Sequence, residues 1–487
     1  MTQAEKQPMM TRAEAIAEIT SRVGEPYELK EQLVHGQPCK VFVNAASTLK
    51  ALYEDNLSDE TLYVYQDERY TFNEMYQQAS KLGAALINDY QVQKGDRVAI
   101  SMRNYPEWAM AFTAVTSIGA VAVAMNALWN SEEMEYGLKH CGAKIIFADQ
   151  ERLDRLAGCS DDFSIEMIGV RPTKPLPDGT KLIDDILQDD SASMPDVDFG
   201  PDDDATILYT SGSTGHPKGA VSSHRNIISA LWSWELDYQC AALINNLEPV
   251  ELGYQAATLM GVPLFHVAGS HAILLQSYRS QRKIVAMYKW DVNEGARLIE
   301  QEKISSFIAP AAMTGDMVEA ARHGKHDLST LLSVGGGGAP RAPDQVKNID
   351  EVFENAVPGT GWGMTETNAI GTGIGGEDYL NRPRSSGRCS AVLELRVVDE
   401  NDNPLPAGER GDLLIRGTSV IRGYWDRPEA NESSFKDGWF RTGDIAYIDE
   451  EGFLFIVDRS KDLVIRGGEN VGCGEVEAAL VIHPNIL

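Results

Sequence analysis

The chain lacks the features that would assign it quickly to several protein classes. It has six cysteines in 487 residues (Cys39, Cys141, Cys159, Cys240, Cys389 and Cys473), set far apart with no CxxC pair. No signal peptide precedes them, so free thiols in a reducing cytoplasm are expected and metal-ligand spacing is absent. Basic residues are scarce against acidic ones, 43 against 72, a formal charge of -29. That balance argues against a surface tracking nucleic acid or anionic lipid, which needs a basic face to displace counterions. There is no low-complexity stretch, and 43% hydrophobic with 24% charged residues describes an ordinary folded chain. Charge is missing altogether from Trp108 to Trp129, long enough to span a bilayer. That run is rich in Ala, Thr and Ser and changes period at Gly119 into Ala-Val-Ala-Val-Ala, which predicts a buried helix followed by a buried strand. Nothing basic or amphipathic announces membrane association.

The length exceeds what one hydrophobic core usually supports, so at least two subdomains sharing an interface are expected. Two βα units stand out: the strand from Asp96 with a helix from Pro106, and a helix from Glu132 to His140 followed by the strand Lys144-Ile-Ile-Phe-Ala. The rhythm returns between Thr258 and Val334, including Ser305-Ser-Phe-Ile-Ala, which predicts two α/β layers in succession. From about Arg388 short strands and turns take over, as in Glu394-Leu-Arg-Val-Val, Gly411-Asp-Leu-Leu-Ile-Arg and Phe453-Leu-Phe-Ile-Val. The expected fold class is therefore α/β: two layered subdomains over 1–387, a small β-barrel module over 388–460, and the start of a small α+β domain over 461–487. The last helix, Glu475 to Ile482, cannot bury its apolar face alone, so this end reads as unfinished.

Three glycine-rich segments carry the chemistry. Tyr209-Thr-Ser-Gly-Ser-Thr-Gly-His-Pro-Lys-Gly219 follows the apolar strand Ala205-Thr-Ile-Leu. Thr210, Ser211, Gly212, Ser213, Thr214, Gly215 and Lys218 offer hydroxyls, open backbone N–H groups and one mobile cation to a triphosphate, with a spacing unlike the Walker A loop. A polar surface turn is the plainer reading. In Gly359-Thr-Gly-Trp-Gly-Met-Thr-Glu-Thr367, Thr365 offers a hydroxyl to phosphate, Glu366 a carboxylate to Mg²⁺, and Trp362 a flat face to a base. The plainer reading there is a glycine loop with a helix cap at Thr365. Ser333-Val-Gly-Gly-Gly-Gly-Ala-Pro340 leaves side-chain volume empty, either for a ligand or for a tight strand-to-helix turn. Near the end of the β module, Asp444 suits a ribose diol and Arg459 ribose or phosphate. Because a triphosphate is a polyanion, Lys218, Arg441, Arg459, Lys461 and Arg466 are candidates for the local positive charge, with a divalent cation.

Taken in order, these segments resemble the signature motifs of the adenylate-forming superfamily of acyl-CoA synthetases, luciferases and peptide-synthetase adenylation domains, over about Leu62 to Pro484. The resemblance implies that a carboxylate and MgATP form an acyl-adenylate and pyrophosphate, after which a thiol, usually of CoA, displaces AMP. It implies Thr210 to Lys218 as the phosphate loop, with Ser213 where Thr is common. Gly338, Ala339 and Pro340 match the adenine side, Gly361, Trp362 and Gly363 the base-stacking segment, Thr365 the α-phosphate ligand, Glu366 the Mg²⁺ ligand, and Asp444 with Arg459 the ribose contacts. It further implies His266, in Pro263-Leu-Phe-His, beside the reacting carboxylate, Lys461 as a hinge, and Gly467 and Gly468 at the thiol tunnel. Without it, His266 reads as a core residue.

Two departures accompany the match. Gly472-Cys473 replaces the usual aromatic and small residue, and no residue of the 487 can be assigned to the adenylation lysine of the C-terminal domain. Impaired adenylation is therefore expected. Gly363, where acetate-specific relatives have Trp, together with Gly335, Gly336 and Gly337 points to an open acyl pocket for a medium or long acyl chain or an aryl acid. The alternatives are a carrier-protein-loading or luciferase-like enzyme, and a nucleotide or acyl-adenylate binding remnant. Small-molecule acid and CoA are the expected partners, with no nucleic acid and no integral membrane segment.

Overall fold

The structure is a computed structural model and describes residues 10–160, 163–210, 217–248, 251–339, 341–459, 463–466 and 469–472; at 459 and beyond it describes backbone only. Ser211, Gly212, Ser213, Thr214, Gly215, Pro340, Lys461, Gly467 and Gly468 lie outside the described residues, as does the helix expected over 475–482.

Two large sheets carry the molecule. The first has eight strands in the spatial order Gly423–Tyr424, Lys218–Ser223, Asp204–Thr210, Val121–Ala124, Arg97–Ser101, Ile145–Asp149, Glu166–Val170 and Lys181–Leu182. Its central strands are parallel and buried on both faces, which is why they read as continuous apolar runs rather than alternating ones. The uncharged run divides as expected. Helix Pro106–Ser117 is buried along its whole length and starts with Pro at its first turn, where a missing N–H does no harm. Strand Val121–Ala124 follows, and among the described residues no helix is long and apolar enough to cross a membrane. Helix Ser131–Cys141 shows why the local sequence specifies its ends. Asn130 caps it in a reciprocal box with Glu133, and Gly142 closes it in the left-handed region at φ 62°.

The second sheet aligns Thr61–Tyr65, Lys283–Ala286, Ala257–Met260, Ser306–Ile308, Ser333–Gly336 and Val357–Thr360 in parallel. It then turns antiparallel through Thr372–Gly375, Gly387–Cys389 and Phe453–Arg459. The antiparallel strands expected beyond residue 388 are thus hydrogen-bonded into the edge of the second layer, and strand Gly387–Cys389 straddles the anticipated boundary. Leu463–Arg466 and Glu469–Gly472 form a short antiparallel pair.

The interior holds two histidines without solvent contact. His224 Nδ1 accepts from the Leu49 N–H at 3.1 Å, and His271 Nδ1 lies 2.8 Å from the Ser270 hydroxyl. Burial lowers the pKa of each to about 3. A base whose folded pKa is lowered takes up its proton only in the unfolded chain, so its contribution is intact above the ordinary pKa of 6.5 and is lost as pH falls toward 3. Between about pH 7.5 and about pH 5.5, each should cost about 1.4 kcal/mol of unfolding free energy. Urea titrations at both pH values should show His271→Asn losing about 1.4 kcal/mol less than the parent over that interval. Equal losses in parent and variant would mean that His271 does not stay neutral.

Candidate active site

A cleft of about 3840 Å³ opens where the two sheets meet, at the C-terminal ends of the second sheet's parallel strands. That is where open α/β sheets place ligands, because the connections diverge there and leave backbone groups free. Thr210, Lys218, His266, Gly335, Gly336, Gly337, Gly338, Ala339, Gly361, Trp362, Gly363, Thr365, Glu366 and Asp444 all line it. The fold therefore gathers every described side chain picked out from the sequence; of Arg459 only the backbone is placed, paired with Asp444 across two antiparallel strands.

Two paired strands flank the phosphate-loop candidate. Asp204–Thr210 pairs antiparallel with Lys218–Ser223, setting Thr210 opposite Lys218, and the Thr210 hydroxyl donates to the Lys218 carbonyl at 3.4 Å. The base of the hairpin is braced from helix Ser131–Cys141. The Tyr209 hydroxyl donates to the Gly137 carbonyl at 3.0 Å and meets His140 Nδ1 at 2.9 Å, while the Tyr136 hydroxyl donates to Pro217 O at 3.4 Å.

Tyr424 joins the hairpin to the acidic motif. Its two-residue strand pairs with the edge strand of the hairpin, bringing Tyr424 opposite Ala220. Lys218 Nζ lies 4.2 Å from the centre of the Tyr424 ring, and the Tyr424 hydroxyl donates to Glu366 Oε1 at 2.7 Å. Burial and the Glu366 charge push the phenol pKa up, so Tyr424 stays a donor. Glu366 is itself only 6% exposed. Its backbone is fixed in the short turn Thr365–Thr367, where the Met364 N–H donates to the Thr367 hydroxyl at 3.1 Å and Ile421 N donates to Glu366 O at 2.9 Å. Two consecutive non-glycine residues, Asn368 and Ala369, then adopt positive φ of 57° and 66°. The Asn368 amide holds this strained turn by donating to Ser419 O at 2.8 Å.

On the other side of the cleft, Trp362 Nε1 donates to Asp444 Oδ2 at 2.8 Å, so the candidate base-stacking ring and the candidate ribose carboxylate are tethered to each other. His266 faces the cleft with its ring 4.5 Å from that of Phe265. The ring stays exposed to the cleft, and the protein packed around it partly desolvates the charged form and lowers its pKa, which keeps it neutral at neutral pH.

Two expectations need correction. Arg441 does not offer a spare positive charge, because its guanidinium is committed to Asp412 at 2.5 Å and to Asp402. Nor do the glycines hold open an acyl pocket. A Cβ on Gly335 would lie 2.6 Å from Gly359 O, on Gly336 1.9 Å from Ala309 O, on Gly337 2.8 Å from Gly361 O, and on Gly363 2.2 Å from Ala369 O. They line the cleft without widening it, since neighbouring backbone fills the space a side chain would take. Tyr424 and Tyr136 escaped the sequence reading because no spacing signal connects them to the hairpin. The Trp-Asp dipeptide that follows Tyr424 marks only a turn.

The donor set fits Mg²⁺. Among the described residues no group of three or more His, Cys, Asp or Glu side chains converges, while Glu366 stands in the cleft with Lys218 nearby. Mg²⁺ is commonly held by one or two carboxylates together with substrate phosphates, so a single protein carboxylate suffices.

Residues 53–425 match the family described as AMP-binding enzyme. The long-chain-fatty-acid–CoA ligase FadD13 of Mycobacterium tuberculosis is 30% identical over 429 residues, covering 86% of this chain and 79% of that protein. The 4-coumarate–CoA ligase 1 of Solanum tuberosum is 30% identical over 431 residues, covering 86% and 76%. Among solved structures, the o-succinylbenzoate CoA synthetase of Bacillus subtilis in complex with its acyl-adenylate intermediate superposes with a TM-score of 0.75 at 26% identity, covering 90% of this chain and 83% of that one.

Proposed function

The chain belongs to the AMP-binding enzyme family, and from that premise we propose that it activates a carboxylic acid as an acyl-adenylate and passes the acyl group to CoA. The observation that carries this reading is the bridge Lys218–Tyr424–Glu366, which sets a cation and a carboxylate from two distant motifs on one cleft. In the first half-reaction a substrate carboxylate oxygen attacks the α-phosphorus of ATP and pyrophosphate leaves. Lys218, residues 211–216 and Thr365 bind phosphate oxygens. Bound Mg²⁺ would neutralise phosphate charge, with Glu366 as its protein ligand. Gly338, Ala339, Pro340, Gly361 and Gly363 enclose the adenine beside Trp362, and Asp444 with Arg459 takes the ribose.

Neutral His266 packs beside the reacting carboxylate without adding positive charge to it. In the second half-reaction the CoA sulfur attacks the acyl carbon and AMP leaves, with Gly467 and Gly468 lining the thiol path and Lys461 as the hinge. The proposed division is 1–387, 388–460 and 461–487, with strand Gly387–Cys389 crossing the first boundary. A medium or long acyl chain or an aryl acid is the proposed substrate, and the cytoplasm, where the free thiols remain reduced, the proposed location.

The test separates the half-reactions. The 487-residue polypeptide is incubated with MgATP, CoA and acids from acetate to palmitate plus aryl acids, and separately with synthetic acyl-adenylates and CoA, with acyl-CoA read by mass spectrometry. Thioester should form faster from adenylates than from ATP, because no residue of these 487 is assigned to the adenylation lysine. Pyrophosphate release at the rate of a full-length relative would contradict the slow first step. Absence of thioester from every adenylate and every acid would contradict the ligase reading itself.

A further inference from the structure

Beyond His266 the cleft continues along a groove that the two half-reactions leave unused. The chain winds there as a π-helical segment, Ala268–Leu275, then as helix Gln276–Ser280. Ala268, Ala272 and Gln276, spaced four apart, form one wall, and Trp234 and Ala241 of helix His224–Asn245 belong to the other. At no more than about 1.5 Å of rise per residue, and less along the wider π-helical stretch, Gln276 stands at most about 15 Å from His266. At this far end the cleft is lined by Arg282, which sits between that helix and strand Lys283–Ala286.

Arg282 is a cation without a counter-charge. Its Nε and Nη2 are shielded from solvent and make no hydrogen bond, and among the described residues no carboxylate pairs with it. The neighbouring charges are all matched: Arg279 to Glu235 at 2.9 Å, Lys283 to Glu302 at 2.8 Å, and Arg12 to Asp237 at 2.8 Å. Burial lowers the Arg282 pKa only to about 10, so it remains charged at neutral pH. An unpaired cation in a desolvated position is costly, and the cost is recovered when an oxyanion with matching geometry arrives.

We propose that Arg282 receives the remote end of the acid substrate, so that the preferred substrates are long acids bearing a second carboxylate at the end opposite the one activated. This rests on the ligase reading of the cleft.

The test compares wild-type acyl-CoA formation from straight-chain monocarboxylic acids and from α,ω-dicarboxylic acids of matched length. At the length that reaches Arg282, the diacid should exceed its monoacid by about tenfold or more in kcat/KM, the scale of a charge-assisted hydrogen bond, and short diacids should lose the advantage. Arg282→Met should lower that ratio by about tenfold. Monoacids turned over as well as diacids at every length would overturn the proposal and leave the ligase reading standing. No turnover of any acid would overturn both. An Arg282→Met chain that does not fold leaves the wild-type ratio to decide.

Discussion

Glu366→Gln should lower acid-dependent pyrophosphate release by about 100-fold or more, the scale seen when one charged or polar stabiliser of a transition state is removed. The substitution keeps the shape of the side chain and an oxygen to accept the Tyr424 hydroxyl, which now donates to Glu366 at 2.7 Å. What disappears is the negative charge, and with it the proposed protein ligand of Mg²⁺. Because Glu366 is 6% exposed and held in the turn Thr365–Thr367, it has little freedom to be replaced by a neighbour. The thermal midpoint should stay near the parent's while the Mg²⁺ concentration needed for half-maximal rate rises. Activity within a few-fold of the parent at unchanged Mg²⁺ dependence would remove Glu366 from the metal site.

Gly336→Ala should destabilise the protein by about 3 kcal/mol or more, at the upper end of what overpacking usually does. The added Cβ would fall 1.9 Å from Ala309 O and 2.7 Å from its carbonyl carbon, and both are backbone atoms with no side chain to swing aside. Making room requires the parallel strands Ser306–Ile308 and Ser333–Gly336 to part. The Thr360 hydroxyl bond to Gly336 O, at 2.8 Å, would be pulled with them. Gly338→Ala is the contrasting case: nothing lies within 4 Å of its Cβ, and only its φ of +81° opposes the change. That variant should lose about 1–2 kcal/mol, the cost of one left-handed residue. Denaturant midpoints of the two variants rank the effects. A Gly336→Ala protein as stable as Gly338→Ala would show that the strands tolerate separation.

The two glycine-rich motifs illustrate how far linear spacing reaches. Thr210 and Lys218 could be read as two sides of one loop because a hairpin needs only neighbours in the chain, and the register Thr210 opposite Lys218 agrees. The run from Gly335 to Gly338 was legible as a place of close approach, yet not what approaches. The neighbour of Gly336 is Ala309 and that of Gly363 is Ala369, so backbone rather than acyl chain occupies the volume. Arg441 looked available because Asp412 lies a full hairpin away in the chain, and only the pairing of Gly411–Gly417 with Trp439–Ile448 brings them together.

Residue order alone determined the kind of chemistry this protein is built for: a hydroxyl-rich segment ending in Lys218, a Thr365-Glu366 pair behind a glycine-rich stretch, and a buried α/β frame to carry them. Those features are local, since turns, caps and apolar runs depend on residues within a few positions of one another. The tertiary structure alone decided that Tyr424 links Lys218 to Glu366, that Trp362 is tied to Asp444, and that Arg282 has no counter-charge among the described residues at the end of the cleft. Each of these depends on which strands lie side by side across the sheets, an order chosen by burial of the whole core rather than by any short stretch of chain.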